Sequence, residues 1–411
     1  MSTEELDTSD LRAYRLQART WLAANMTPLA RAGDGTFIRV DDSDPATRFE
    51  WARAMQAKLY DGGFAGITYP VRYGGAGLSQ EHERVFLEEA LPYDMPTAEL
   101  SVSLNILGMT LLEFGAEEQK DRHLERMLRG EEIWLQLLSE PSGGSDLAGL
   151  ITSARCDGDT YVLNGQKTWS TGAEFADFAL CPARTDWDVP KHRGISMFIV
   201  DLNAPGIEIR SIKQINGGTD FCEEFLTDVV VPVSSLVGPE NDGWRITRGM
   251  LAIEHEWVGR SGGNRPRPAG VADLISLARR RGLQDDAGVR RTIASIHSLQ
   301  SVHFALTQRV GRGRALGVLH PSYGGVLKLS NDVMRQRRNE VALELAGSRG
   351  VAWEPGSTDG TIVPVYLQSR SATIAGGSSE IQRNNISEGA LGLPREVSLD
   401  RDLPFRQVPK N

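Results

Sequence analysis

The amino-acid sequence predicts an α+β multidomain chain: helices first, then a small all-β module, then a helical bundle. Three observations predict it. Apolar residues recur at helical spacing through the first ~130 residues. Short β-rich runs bounded by Gly, Asn, Asp and Pro crowd into 161–232. Helical patterns return after Gly243-Trp244. The chain has 411 residues, 40% hydrophobic and 24% charged, which is globular composition with room for several cores.

Leu11, Tyr14, Ala18, Trp21, Leu22 and Met26 predict a first helix, and Phe49–Tyr60 a second, ended by Asp61-Gly62-Gly63. Gly74, Gly75 and Gly77 break the periodicity of YPVRYGGAGL (69–78), and helices are expected again over 80–91 and 98–128. In the β module YVLNGQKTW (161–169), GISMFIVDL (194–202), GIEIRSI (206–212) and CEEFLTDVVVP (222–232) read as strands. Asn164-Gly165 is the expected two-residue hairpin turn, and a further β-run is expected to end at Ser139. Beyond Gly243 helical pattern covers 244–258, 271–281, 287–310, 323–346 and 366–390. Ile293, Ile296, Leu299, Val302 and Leu306 predict a buried stripe along the third of these. Glycines and prolines in 259–270 interrupt the helical region, and 348–364 reads as a polar loop.

Charge excludes some function classes. A net charge of −9 with no dense Lys/Arg run argues against nucleic acid or an anionic membrane as the main partner. No apolar stretch reaches the ~18–20 residues of a membrane span, and the acidic start MSTEELDTSD is unlike a signal peptide, so a cytoplasmic protein is expected. Cys156, Cys181 and Cys222 lack C-x-x-C spacing, which excludes a disulfide framework and a zinc knuckle.

Three constellations can carry chemistry. In QLLSEPSGGSD (136–146) the Glu-Pro turn and Gly143-Gly144 let backbone N–H groups converge, with hydroxyls from Ser139, Ser142 and Ser145. Such a loop suits a flat heterocycle or a phosphate, and equally an ordinary Gly/Ser turn. In KTWST (167–171) Trp169 either stacks on a planar ring or fills a core. In ATIAGGSSEIQRNNISEGALGLPRE (372–396) Gly376-Gly377 separates two helical segments, and Ser378 or Ser379 either caps the second helix or binds a ligand there.

Together SEPSGGSD, NGQKTWST, VVVPVSSLVGPENDGW (229–244) and IAGGSSEIQRNNISEGALGLPRE resemble the acyl-CoA dehydrogenase family of flavoproteins, in matching order from about residue 50 to 396. The resemblance implies a helical N-terminal domain (1–132), a β-barrel-like middle domain (133–240), a C-terminal four-helix bundle (241–396) and a tail (397–411). It implies FAD as cofactor, contacted by Gln136, Leu137, Leu138, Ser139, Ser145, Trp169 and Thr171, with Ser378 and Glu380 from the last motif. It also implies an acyl-CoA substrate, electron-transfer flavoprotein as electron acceptor, and a homo-oligomer (dimer or tetramer) or a heterotetramer with a paralogue.

The family reaction removes a proton from Cα of a thioester and a hydride from Cβ, which requires a positioned carboxylate base and a polarised carbonyl. Many members carry that Glu in the C-terminal motif, where this sequence has Gly376. Others carry it on the first helix after the β domain, within L-x-x-E-R-x-x-x-G. Here Leu251-Ala252-Ile253-Glu254-His255-Glu256-Trp257-Val258-Gly259 puts Glu254 in that position. Glu256 lies ~200° round the helix and cannot share its direction.

Three departures accompany the match. His255 replaces the usual Arg, LARRRGLQDDAG (277–288) replaces R-x-x-F-G and leaves Arg279, Arg280 or Arg281 to supply charge, and Glu344 opens the usual Gln-x-x-Gly-Gly. The last two weaken donation of FAD contacts to a neighbouring subunit. They keep open a partner subunit of a heteromeric acyl-CoA dehydrogenase with an incomplete site of its own; a flavin monooxygenase on the same fold is the other alternative.

Overall fold

The computed structural model describes residues 8–31, 37–38, 44–261, 271–352, 360–398 and 400–409. It divides into two compact units, one spanning residues up to 212 with 220–266 and 399–411, the other 213–219 with 267–398.

The first unit opens with helices α1 (Ser9–Asn25), α2 (Pro45–Asp61), α3 (Gln80–Ala90), α4 (Thr97–Val102), α5 (Met109–Phe114) and α6 (Glu117–Leu128). Thr8 and Asp44 cap α1 and α2 by accepting the N–H groups of Leu11 and Thr47, and Pro45 occupies a first-turn position with no donor to lose. The predicted α1 stripe is the buried one: Leu11, Ala18, Leu22 and Met26 are all interior. A π-helical stretch at Ser103–Gly108 joins α4 to α5 in one helical run over 97–114, and the pattern over 98–128 breaks at Gly115-Ala116, before α6.

The β module is an eight-stranded mixed sheet. Its strands are β1 (Trp134–Gln136), β2 (Ser153–Asp157), β3 (Thr160–Thr171), β4 (Phe178–Arg184), β5 (Ile195–Asp201), β6 (Ile207–Ser211), β7 (Phe221–Pro232) and β8 (Leu236–Val237). They run in the order β8-β5-β4-β2-β3-β7-β6, with β1 parallel to β4.

Two strand expectations are corrected here. The hairpin turn is Gly158-Asp159, between the paired residues Asp157 and Thr160, with Gly158 at φ +65°. Asn164-Gly165 instead lies inside β3, at a bulge against β7. The Asn164 amide donates to Asp228 Oδ1 (3.0 Å) and accepts the Asp228 N–H (2.9 Å). Any side chain on Gly165 would press on Thr152, whose Cα stands 2.7 Å from the position of a Cβ. The second correction is at Ser139: β1 ends at Gln136, because Glu140 and Gly143 bridge each other and turn the chain away.

Helix α7 (Gly243–Ser261) closes this unit against the sheet. Ile246 and Met250, both fully buried, join a core with Leu107, Leu111, Trp134 and Met197. Burial of each is worth ~1.5–3 kcal/mol, enough to fix the rotation of the helix.

The second unit contains α8 (Val271–Arg280), α9 (Ala287–Ala315), α10 (Gly324–Ala346), α11 (Ile362–Gln368) and α12 (Ser379–Asn385), continued by a π turn at Ile386–Ala390. Ile293 and Ile296 are buried in its core with Leu274, Leu277 and Val341. Val302 is not part of the stripe: it is 62% exposed, and His303 takes the inward position, bonded to Ser330 Oγ (3.1 Å). Most of the Gly/Pro-rich insert (262–270) and part of the 348–364 loop (353–359) lie outside the described residues.

Candidate active site

On α7 the spacing Ile246, Met250, Glu254 is i, i+4, i+8, so the two buried residues set the face on which Glu254 projects. Glu254 is half-buried, and Gln136 Nε2 donates to its Oε2 at 3.3 Å. The other amide atom, Gln136 Oε1, is buried with no hydrogen-bond partner. His255 is exposed, which favours its reading as a polar helix residue, and the side chain of Glu256 lies outside the described residues.

From Gln136 the chain leads into the Gly/Ser loop. Leu137 is fully buried and its N–H donates to Leu180 O (3.0 Å). Leu138 and Ser139 are half-buried and Ser145 is exposed. Gly143 has open space where a Cβ would be, while a Cβ on Gly144 would stand 3.0 Å from Ser139 Oγ. Beneath the loop Lys167 and Glu140 form a buried ion pair (2.9 Å). Lys167 also donates to Pro182 O, and Glu140 accepts the N–H groups of Ile151 and Thr152. Burial opposes ionisation of Glu140, but Lys167 and those N–H donors hold its carboxyl below the usual carboxylate range.

Trp169 lies at a second bulge of β3, between Thr168 and Ser170, with φ +68°. A bulky residue in left-handed backbone is strained and persists only where its surroundings impose it. The Thr168 N–H is held by Ser139 O (2.9 Å), and Ser170 Oγ donates to Glu224 Oε2 (3.0 Å). The bulge throws the indole outward, 58% exposed, so of the two readings left open by the sequence the core one fails. Thr171 is exposed two residues on. Sequence reasoning missed Glu224: it is fully buried, and desolvation pushes its pKa up to about 7, offset in part by the Ser170 bond and Lys167, with Glu223 adding repulsion.

Two cavities flank this region. One, of about 720 Å³, is lined by Phe64, Leu100, Leu104 and Met109, with Ser101 and Asn105 among its polar groups, and reaches Ile253 beside Glu254. The other, of about 670 Å³, is lined by the cations Arg193, Arg245 and Arg248, by His192 and Trp244, and by the carboxylates Glu113 and Asp242, the latter bonded to Arg245 Nε (2.7 Å).

In the second unit Ser378 accepts the Ile381 N–H (3.3 Å) and so caps α12, while Glu380 is exposed. Gly376 and Gly377 are left-handed (φ +65° and +84°), and Gln382 Nε2 donates to Gly376 O (2.7 Å). Glu344 is held by Arg337 (3.2 Å).

Models of the acyl-CoA dehydrogenase N-terminal, middle and C-terminal domains match residues 8–131, 136–229 and 241–391. Over 402 residues the chain is 35% identical to acyl-CoA dehydrogenase IpdE1 of Mycolicibacterium smegmatis, covering 94% of this chain and 99% of that one. The chain belongs to the acyl-CoA dehydrogenase family. It is similar in structure to the Tcur3481-Tcur3483 steroid ACAD (26% identical, TM-score 0.76, 95% of this chain and 99% of that one). It is also similar to the ChsE4-ChsE5 complex from Mycobacterium tuberculosis (26% identical, TM-score 0.70, 95% and 99%). As an acyl-CoA dehydrogenase family member it is an oxidoreductase with the three-part fold expected above, and FAD is its cofactor. The residues present fit such a group: the Trp169 indole is exposed, Gly143 has open space at its Cβ position, and Gln136 Oε1 has no hydrogen-bond partner in the chain. Among the described residues no helix is long and apolar enough to cross a membrane, and no cluster of three metal-ligating side chains occurs.

Proposed function

We propose that this chain dehydrogenates the Cα–Cβ bond of an acyl-CoA thioester, with Glu254 as the base that takes the Cα proton. The observation that carries the reading is the pairing of Glu254 with Gln136 at the end of β1, together with a glycine at the alternative base position, Gly376. Gln136 holds one carboxylate oxygen, which leaves the other to meet the substrate and fixes its direction. Bound FAD supplies the hydride acceptor, and Trp169 and Thr171 with the 136–145 loop are the residues proposed to seat it. The proposed contacts of Ser378 and Glu380 would come from the α12 N-terminus.

The two cavities support a division of the substrate. The cationic side of the second cleft suits the phosphates and adenine of CoA, through His192, Arg193 and Arg248 with Trp244 as a flat apolar wall, while Arg245 is engaged by Asp242. Arg248 precedes Glu254 by six residues, about 9 Å along α7. The larger cavity is of a size that encloses drug-like molecules, ~300–1,000 Å³, and its mix of apolar and amide or hydroxyl walls suits a bulky, ring-bearing acyl group. The similarity to a steroid ACAD agrees with that choice.

Exchange at Cα tests the base separately from redox chemistry. The wild type is expected to wash deuterium from D₂O into the α position of a bound acyl-CoA, and Glu254→Gln to lose that exchange by ~10²–10⁴-fold. Exchange retained by the variant overturns the assignment.

A second reading is favoured by one observation. Glu344, in the slot where a Gln would reach a neighbour's FAD, is tied to Arg337. The chain is then one half of a heteromer whose other half completes the site, and the similarity to the ChsE4-ChsE5 complex supports it. Purification with and without a co-expressed paralogue decides: FAD retained by the chain alone argues for a self-sufficient oligomer. Electron transfer to an electron-transfer flavoprotein is part of either reading.

A further inference from the structure

Residues 400–409 have no part in the chemistry derived so far, yet they return to the first unit and pack on the β4–β5 connection (185–194). Phe405 is 3% exposed. Its N–H donates to Val189 O (2.9 Å), the Arg406 N–H donates to Trp187 O (3.1 Å), and Pro404 bridges Pro190. The Phe405 ring lies 3.5 Å from Arg184 Cζ and 5.6 Å from the Trp187 ring. Arg184 is fully buried and donates to the carbonyls of Ala148, Leu150 and Lys191. Phe405 therefore forms one wall of a guanidinium pocket whose other walls are the Gly/Ser-loop region and the 185–194 connection itself.

That connection is pinned elsewhere as well. Lys191 Nζ donates to Asp146 Oδ1 (2.9 Å), and Thr185 Oγ1 to Asn241 Oδ1 (2.7 Å). Immediately after Lys191 it delivers His192 and Arg193 to the second cleft, with His192 edge-on to Trp244 at 5.0 Å. Without the 400–409 segment the face of Arg184 and the backbone of Trp187 and Val189 lose their cover, and the connection keeps its side-chain pins and the backbone bonds at its base, Thr185 and Asp186 N–H to Gly194 O and Arg193 N–H to Pro190 O.

We infer that residues 400–409 are a strap that holds the 185–194 connection in its ligand-binding shape, with Phe405 as the positioning residue that orders His192 and Arg193 for the nucleotide end of a CoA thioester. The inference rests on the reading of the second cleft given above. Cations already fixed before binding lose little freedom on meeting a phosphate, so the strap acts on affinity for the nucleotide and not on proton abstraction at Glu254.

The test compares wild type, Phe405→Leu, Phe405→Tyr and a chain stopped after Ser398, all FAD-loaded and checked for thermal unfolding. CoA affinity is measured by calorimetry. Turnover is measured with an acyl-CoA and with the same acyl group as its N-acetylcysteamine thioester, which lacks the nucleotide. Phe405→Leu and the shortened chain are expected to bind CoA about tenfold more weakly and to raise KM for the acyl-CoA likewise, with kcat changed less than about twofold. The short thioester should be handled as by wild type, Phe405→Tyr should keep wild-type affinity, and a synthetic 399–411 peptide should restore the shortened chain. Folded variants that bind CoA within twofold of wild type overturn the strap alone. A wild type that shows the same KM for both thioesters overturns the reading of the cleft and the strap with it.

Discussion

The two segments that carry the cofactor signatures are held in opposite ways. Residues 136–171 sit on a floor of buried polar groups: Lys167 and Glu140 are paired away from water, Glu140 also binds two backbone N–H groups, and Ser170 reaches Glu224. Residues 374–382 are held lightly. Ile374 is exposed, Gly376 and Gly377 take left-handed backbone, and the turn is closed chiefly by the Gln382 amide on Gly376 O. The first segment is preorganised by interactions that are costly to break; the second is shaped by glycine conformation, the Gln382 amide and the Ser378 cap. Strain at Trp169 is possible because the first segment can sustain it.

Removing a group from the floor should cost most. Lys167→Ala leaves the Glu140 carboxylate buried without its cation, with an expected loss of ~3–5 kcal/mol in denaturant unfolding. Lys167→Ala at near wild-type stability would mean the floor is not what holds the segment.

The next effect is a pH dependence. Glu224 has its pKa raised from 4.5 to about 7 in the folded chain, so between those values the folded state binds the proton that the unfolded state releases. Its contribution is complete below pH 4.5 and is lost as pH rises through about 7, to a total of about 3 kcal/mol. Glu224→Gln should lose less stability than wild type between pH 5 and 7.5, and parallel curves for the two proteins would remove Glu224 from the account.

Gln382→Ala should cost least, about 1 kcal/mol from one hydrogen bond, but should show selectively as faster amide exchange across the glycine turn. Unchanged exchange at 375–378 would contradict the lightly held second segment.

The helices and most strands were legible because their apolar spacing is regular, and Glu254 stood out as the candidate base because Leu251, Glu254 and Gly259 keep a family spacing. What the sequence could not show was decided by cross-chain contacts. Asn164-Gly165 has turn chemistry, but the Asn164 amide is drawn to Asp228 and Thr152 crowds Gly165, so the turn formed at Gly158 instead. Counting only apolar residues placed Val302 inside, whereas the helix turns His303 inward and Ser330 satisfies it. Glu224 looked like one more strand carboxylate, but alternation along β7 puts it on the inward face with Cys222 and Leu226, where Ser170 and Lys167 lie beside it. Nothing local to PFRQ announces that Phe405 covers Arg184.

The claim on which the rest depends is that Glu254, supported by Gln136, is the base. Its most direct test is anaerobic single-turnover reduction of the bound flavin by an acyl-CoA, wild type against Glu254→Gln, with FAD content and CoA binding shown to be equal. The account predicts reduction slowed by ~10²–10⁴-fold in the variant. Reduction within about threefold of wild type would contradict it.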